Sequence, residues 1–553
     1  MGERVKLSTL LKAVEPIRIF GQAAESQGHS ANRIAETRNS RLPVSNADPL
    51  ECDISSIHYR AQNVQPGGMF VAIEGRTADG HDFIGQALKK GAVVIVLQKK
   101  PEKSLLSTEL SADFAGAANG SPIMVQVPDT RMALADLSAC FFNYPSERMY
   151  LIGVTGTNGK TTVAYLIESI LLRAGFNVGV IGTINYRYAD KTFPNPMTTP
   201  ESLDLQRTLL EMLREGVTHV VLEASSHAMD LYRIKGCWFD AAVFTNLSQD
   251  HLDFHGDMQS YWSSKKSLFT EYLNRGPKKD RAVAVINCND PKGVELANML
   301  SRPVVRTGST PACEIKAETS RYELVGTKGR VTTPQGSFDF KTPLVGTHNV
   351  ENILSAAGAA AALNIAPDTI KAGIEALAAI PGRLERIENT SGRFVYVDYA
   401  HTPDALENAA SALKAIAPAR IICVFGCGGD RDKEKRPLMG EIVARLCDLS
   451  VVTSDNPRSE DPTAIIEQIL PGIRKVHGNR YSARDLKTRF DKKGYIVEPD
   501  RRRAIKLAIT ASRPEDAVLI AGKGHETYQI LGNTTIDFDD REEARRALNK
   551  LHY

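Results

Sequence analysis

Long apolar runs are missing from this chain. The longest, Ala92–Leu97 and the alanine-rich Ala356–Leu363, fall far short of the roughly 18 residues a membrane span needs, so no membrane insertion is expected. Cysteine is sparse, with eight in 553 residues and no CxxC pair. That excludes a disulfide mini-protein, and Cys423 and Cys427 read as plain buried or free thiols. Charge of one sign is not in excess either: 68 basic residues face 65 acidic ones, for a net +3. Nucleic acid and anionic membrane are therefore not expected as main partners. The opening MGERVKLSTLLKAVEPIRIFG carries charges where a signal peptide needs an unbroken apolar stretch. Lys6 stands where a myristoylation pattern needs Ser or Thr. A cytosolic protein is expected.

What is present is the balance of an ordinary globular protein: 42% hydrophobic, 24% charged and 7% aromatic. At roughly 100–200 residues per domain, the length predicts three or four domains, each able to bury a core. Residues 22–50 are polar and read as a mobile segment or extended loop. Beyond them, Met69–Ile73 and Ala92–Leu97 read as buried strands, with a helix over Phe83–Gly91 between them. The Ala/Gly/Ser-rich 107–121 reads as a loop insertion. A helix near Arg131–Phe142 then leads to a boundary at Pro145.

From Leu151 to about residue 380 strands and helices alternate, which predicts a doubly wound parallel α/β sheet. Residues 303–345 predict a small antiparallel patch, and Ile380-Pro381-Gly382 a hinge. A third α/β block has strands at Phe394–Asp398, Ile421–Phe425, Leu449–Thr453 and Ala517–Ala521. Its polar run 478–494 reads as an insertion. The fold class is thus α/β in three domains, 1–147, 148–382 and 383–553.

The chemistry starts at Gly153-Val-Thr-Gly156-Thr157-Asn158-Gly159-Lys160-Thr161-Thr162, between a predicted strand and helix. Glycines let backbone N–H groups curl around phosphate, a lysine reaches the terminal phosphates, and a threonine hydroxyl can meet Mg²⁺. The spacing is a GxxGxxGKTT variant of the usual phosphate loop. Glu223 ends the apolar run Val220-Val221-Leu222. A charge placed there calls for a metal or cation partner, unless it is an exposed strand end. Asp250, His251, Asp253 and His255 crowd into six residues. Such a cluster can bind metal, move protons or simply decorate a loop, and spacing alone does not choose.

With GVTGTNGKTT, LEASSH, NLSQDHLDFHG and the later blocks in order, the chain resembles the Mur ligases, the ATP-dependent amide-forming synthetases of peptidoglycan precursor assembly. The resemblance runs from about residue 54 to the C-terminus. It implies an N-terminal UDP-binding domain, a central ATP-binding domain and a C-terminal Rossmann-like domain that brings the amino acid. It also implies an acyl phosphate and then a tetrahedral intermediate.

Carried onto matching positions, the resemblance assigns ATP to Gly156–Thr162, with Lys160 on the β- and γ-phosphates, and to Asn349 and Asn352 near the adenine. Arg383 and Asp398 would join them from the third domain. Two Mg²⁺ ions are implied, one on Thr161 and Glu223, the other on His251 with Lys265. Lys265 matches a lysine that the family carbamylates with CO₂. Lys160, Glu223, His251 and Lys265 are the implied catalytic set. Thr77, Ala78, Thr198, Thr199, Ser225 and Arg233 match positions for the UDP-sugar-peptide. Two positions depart from the family pattern: His58-Tyr59-Arg60 replaces a common Asp-Ser-Arg, and Leu231 stands where some members have glutamine.

Asp455-Asn456-Pro457-Arg458 resembles the block of members that add meso-diaminopimelate rather than L-lysine. Arg458 can clamp a carboxylate bidentately. Arg431 offers a second cation, and Glu526, beside Gly522, an anion for the distal ammonium. The implied activity adds meso-diaminopimelate to UDP-MurNAc-L-Ala-D-Glu, serving cell-wall biogenesis, cell shape and division. Partners are small-molecule substrates only, and a monomer is favoured. The rival readings are the L-lysine-adding relative, folylpolyglutamate synthetase with its shared ATP core, and an inactive nucleotide-binding homologue.

Overall fold

The computed structural model describes residues 4–20, 49–75, 78–99, 122–416, 418–488 and 491–552. The insertion at 107–121, Thr77 and all of 22–50 except its last two residues lie outside them. The chain builds three α/β units, each around its own sheet.

The middle unit holds the largest. Five consecutive parallel pairings run through Val178–Ile181, His219–Glu223, Tyr150–Thr155, Ala241–Phe244, Val283–Asn287 and Val304–Gly308. These strands are apolar on both faces because helices cover both faces. Lys160–Arg173 and Thr347–Ala362 bury Val163, Ile167, Ile353 and Ala357 on one side. Ser202–Arg214 and Met258–Thr270 bury Leu205, Leu209, Trp262 and Phe269 on the other. The antiparallel patch expected at 303–345 is not separate. Val304–Gly308 pairs parallel with Val283–Asn287, and Ile315–Glu323, Gly326–Thr333 and Gly336–Thr342 extend the same sheet at that edge; with the antiparallel hairpin Asn185–Tyr188 and Lys191–Pro194 at the other edge it has eleven strands.

The first unit carries a five-stranded sheet, from Arg18–Phe20 through Ile123–Gln126, Val94–Leu97 and Met69–Val71 to Ile57–His58. The third has six strands. Five are parallel, and Glu385–Ile387 closes one edge antiparallel. The run 478–494 is not a bare insertion. It contains the helix Ala483–Thr488 and leads into an edge strand, Gly494–Val497, that its polar flanks conceal. All eight cysteines are free thiols, and Cys423 and Cys427 are buried. Among the described residues, no helix is long and apolar enough to cross a membrane.

Candidate active site

The glycine loop is forced by its surroundings. Gly156 has φ +146°, and a Cβ there would lie 1.9 Å from Thr245 Oγ1. Gly159 has φ +86° and caps the helix Lys160–Arg173, and its Cβ would meet Asn352 Oδ1 at 2.3 Å. Only glycine takes such a backbone with such neighbours. Lys160 Nζ lies over the loop, donating to Gly156 O at 2.9 Å and Thr157 O at 2.8 Å. Desolvation lowers its pKa and Arg383 adds to that, while Glu223 and Asp250 oppose it.

Glu223 ends its strand almost fully buried, 1% exposed. Its carboxylate accepts from Thr161 Oγ1 at 3.0 Å, Thr183 N at 3.0 Å and Thr183 Oγ1 at 2.9 Å. Thr161 Oγ1 in turn accepts from Arg383 Nη2 of the third unit at 3.1 Å. A hydroxyl beside a carboxylate is a hard-oxygen pair of the kind Mg²⁺ takes, so the residues fit that ion. Thr183 was not foreseen. Its only sequence signal is its place just after the strand Val178–Ile181.

Lys265 is 1% exposed. Its Nζ donates to Gly156 O at 2.8 Å and sits 4.4 Å from the centre of the Tyr261 ring. Burial drives its pKa well below that of an ordinary lysine, Lys160 adds to this, and Asp250 opposes it. His251 lies on the adjoining loop at φ +54°. Desolvation, opposed by Asp250, brings its pKa down to about 4, so the ring is neutral at physiological pH. The acid–histidine cluster itself is divided. His255 turns away to Asp230 at 3.1 Å and Ser226 Oγ at 2.9 Å, while Asp250 stays with His251 at 3.4 Å.

Four of the residues matched to the nucleotide sugar meet around Glu223. Thr199 Oγ1 donates to Glu223 O at 2.7 Å and lies 3.2 Å from Ser225 Oγ, and Arg233 Nη1 donates to Thr199 O at 3.1 Å. Thr198 Oγ1 is 3.1 Å from Thr183 Oγ1. Ala78 closes the first unit's loop by accepting from Gly75 N at 2.9 Å. Tyr59, one of the departures, donates its hydroxyl to Asp204 of the middle unit at 2.7 Å.

Thr157–Thr162, Thr183, Thr198, Ser225, His251 and Lys265 line one cavity of about 510 Å³ with Asn349, Asn352, Arg383 and Asp398. Glu223 lies just behind its wall. Asn352 packs its Oδ1 over Gly159, while its Nδ2 donates to Asn349 Oδ1 at 3.0 Å. Asp398 is already engaged: its oxygens accept from Leu384 N at 2.6 Å and Ala400 N at 2.8 Å. Desolvation raises its pKa against Arg383 and those two N–H groups. Asp404, on the first turn of the helix Pro403–Ala415, also lines the cavity. It accepts from Asn158 Nδ2 at 2.6 Å and Ser248 Oγ at 2.8 Å, across the junction with the middle unit.

A second group of side chains gathers at the carboxyl edge of the third sheet. Gly522 N donates to Asp398 O at 3.1 Å, which ties this group to the cavity. Asn456 Nδ2 donates to Glu526 Oε2 at 2.9 Å. Arg458, at φ +52°, donates from Nη1 to Gly429 O at 2.8 Å. Asp455 holds Oδ2 buried without a hydrogen-bond partner, where a Cβ on Gly522 would intrude at 2.4 Å. Pro457 O accepts from Glu460 N at 3.0 Å and shapes the turn. Arg431 is exposed and donates to Asp430 O at 3.1 Å, and its side chain flanks Gly428 together with Arg458.

Comparison with known proteins follows the same division. Family models match residues 53–142 (Mur ligase family, catalytic domain), 154–360 (Mur ligase middle domain) and 382–524 (Mur ligase, glutamate ligase domain). A relative from Geobacter metallireducens, described as UDP-N-acetylmuramoyl-L-alanyl-D-glutamate--2,6-diaminopimelate ligase, is 47% identical over 91% of this chain and 95% of its own. One from Geobacillus thermodenitrificans, described in the same words, is 41% identical over 90% and 95%. A solved structure so described superposes with a TM-score of 0.63 at 30% identity, covering 93% of this chain and 98% of that one. A Mycobacterium tuberculosis folylpolyglutamate synthase complexed with ADP shares the fold, at 20% identity and a TM-score of 0.55 over 71% of this chain and 91% of that one.

Proposed function

The chain belongs to the Mur ligase family, and on that premise we propose that it is the ATP-dependent ligase that adds meso-2,6-diaminopimelate to UDP-MurNAc-L-Ala-D-Glu in peptidoglycan precursor synthesis. We assign 1–147 to the nucleotide sugar, 148–382 to ATP and 383–553 to the amino acid, in a cytoplasmic monomer. One observation carries the reading. The phosphate loop and the buried Lys265 face Arg383 across a single cavity, with Glu223 directly behind Thr161.

The substrate carboxylate attacks the γ-phosphorus, the bridging P–O bond breaks, and ADP leaves with an acyl phosphate formed. The amine of diaminopimelate adds to the acyl carbon to give a tetrahedral intermediate. The C–O bond to phosphate then breaks, phosphate leaves and the nitrogen loses its proton. The loop N–H groups and Lys160 hold the phosphates, and Arg383 brings a further positive charge from the third unit. Closure of that unit keeps water from the acyl phosphate. Mg²⁺, when bound, offsets phosphate charge. Thr161 and Glu223 would hold one ion, and neutral His251 with carbamylated Lys265 a second. A lysine amine reacts with CO₂ only when unprotonated, and the burial of Lys265 favours that form.

Thr198, Thr199, Ser225 and Arg233 orient the peptide and diphosphate. Arg458, Asn456, Asp455 and Glu526 receive the distal end of diaminopimelate. The test is phosphate release with ATP, Mg²⁺ and UDP-MurNAc-L-Ala-D-Glu, comparing meso-diaminopimelate with L-lysine. Release with diaminopimelate alone is expected. Release with lysine alone would overturn the third-unit assignment, and no release with either would overturn the ligase reading.

A further inference from the structure

Lys523 stands between Gly522 and Gly524 with its side chain fully buried, 0% exposed. A buried ammonium is rare unless it is paired and hydrogen-bonded. Here its Nζ donates to Glu526 Oε2 at 2.9 Å and to Asn456 Oδ1 at 3.1 Å, and the Tyr528 ring centre lies 5.3 Å away. Asn456 Oδ1 also accepts from Ile530 N at 3.0 Å. Both neighbours of that oxygen are obligate donors, so the amide has one orientation, and its Nδ2 must face Glu526. Glu526 Oε2 therefore receives two donors. Its Oε1 makes no hydrogen bond among the described residues, and the carboxylate is 15% exposed.

Resting on the assignment of Glu526 to the distal ammonium, we propose that Lys523 is the positioning residue of the amino-acid pocket. It supplies the buried counter-charge that holds Glu526, and it locks Asn456, so that Glu526 Oε1 alone is presented to the ammonium. Lys523 does not touch the substrate, because its side chain has no exposed surface. Glu526 could otherwise swing its carboxylate away from the pocket. Removing Lys523 leaves the pocket's shape largely in place but takes away the fixed acceptor.

The experiment is a double-mutant cycle in the full chain, run only after the unaltered enzyme has shown release with diaminopimelate. Failure of that control would overturn the assignment of the reaction, separately from the role of Lys523. Lys523→Met should raise KM for diaminopimelate about 10- to 100-fold, the range of a charge-assisted hydrogen bond. Both kcat and KM for ATP should stay within about threefold of the unaltered enzyme. Glu526→Gln should raise KM similarly. Because Lys523 acts through Glu526, adding Lys523→Met to Glu526→Gln should cost little more. If Lys523→Met does not fold, Lys523→Gln is scored by the same criteria, since it keeps a donor without the charge. Multiplying effects in the double variant would show that Lys523 meets the substrate itself and would overturn the proposal. So would a rise in KM for ATP that parallels the rise for diaminopimelate.

Discussion

At the residue scale, the site is built from buried charge, and its charges differ in how they are paired. Glu223 has three donors and Lys523 two acceptors, but among the described residues Lys265 has only a carbonyl and an aromatic ring. Such a lysine destabilises the fold as long as unfolding lets it take a proton. Its folded pKa lies below the unfolded value, so the unfolded state binds more protons between the two, and stability rises with pH through that window. In CO₂-depleted buffer, Lys265→Met should therefore raise Tm at neutral pH while removing most turnover. The Tm advantage should shrink as pH climbs toward the ordinary lysine value. A Tm that falls, or an advantage independent of pH, would contradict the account of Lys265.

Two further substitutions belong to this scale. Glu223→Gln keeps the shape but leaves no charge against Thr161, and kcat should drop by about 100- to 1,000-fold, as for a lost transition-state charge contact. Arg458→Lys should weaken diaminopimelate without changing KM for ATP, because an ammonium cannot reproduce a guanidinium fork. Parallel loss of both in steady-state kinetics would refute that role.

At the scale of elements, the strand–loop–helix of the phosphate site was legible because each of its parts answers to a local rule. The apolar run Leu151–Val154 gives the strand, the glycines give the turn, and Lys160 opens the helix. The strands His219–Glu223 and Ile421–Phe425 fall where their periodicity puts them. Gly494–Val497 was not legible, since an edge strand flanked by charges has no run long enough to stand out. Contacts between elements were equally hidden. Nothing local says that Asn352 packs on Gly159, or that Thr183 bonds Glu223, from strands whose order differs from the chain's. Lys523 stands in plain view between Gly522 and Gly524, but nothing local in the sequence says that the fold buries it.

The Asn352 contact carries its own expectation. Gly159→Ala would place a methyl 2.3 Å from Asn352 Oδ1 at a φ of +86°. The backbone cost alone is about 1–2 kcal/mol, and the asparagine must also move. Equilibrium ATP binding should weaken by at least about tenfold, while binding of the nucleotide sugar in the same variant should not change. Unchanged ATP affinity would mean that the loop tolerates the shift.

At the scale of the whole molecule, the three units meet at junctions that include a few polar side chains. Glu201 of the middle unit is held by Arg131 of the first at 3.2 Å and lies 3.7 Å from Arg233. It thus holds Arg233, one of the residues matched to the UDP-sugar-peptide. On the other side, Asp404 gives one oxygen to Asn158 and Ser248, and Arg383 reaches Thr161. Asp404 therefore bridges two loops of the middle unit from a helix of the third. Charged hydrogen bonds of this kind contribute about 1.5–3 kcal/mol. Asp404→Ala should lower kcat by about 10- to 100-fold through a less populated closed state. ATP binding to the middle unit should change much less, because Lys160 and the loop N–H groups remain. Small-angle scattering with ATP and the nucleotide sugar present should give a larger radius of gyration for Asp404→Ala than for the unaltered chain. Equal radii with reduced kcat would mean that Asp404 serves the chemistry directly and not the closure.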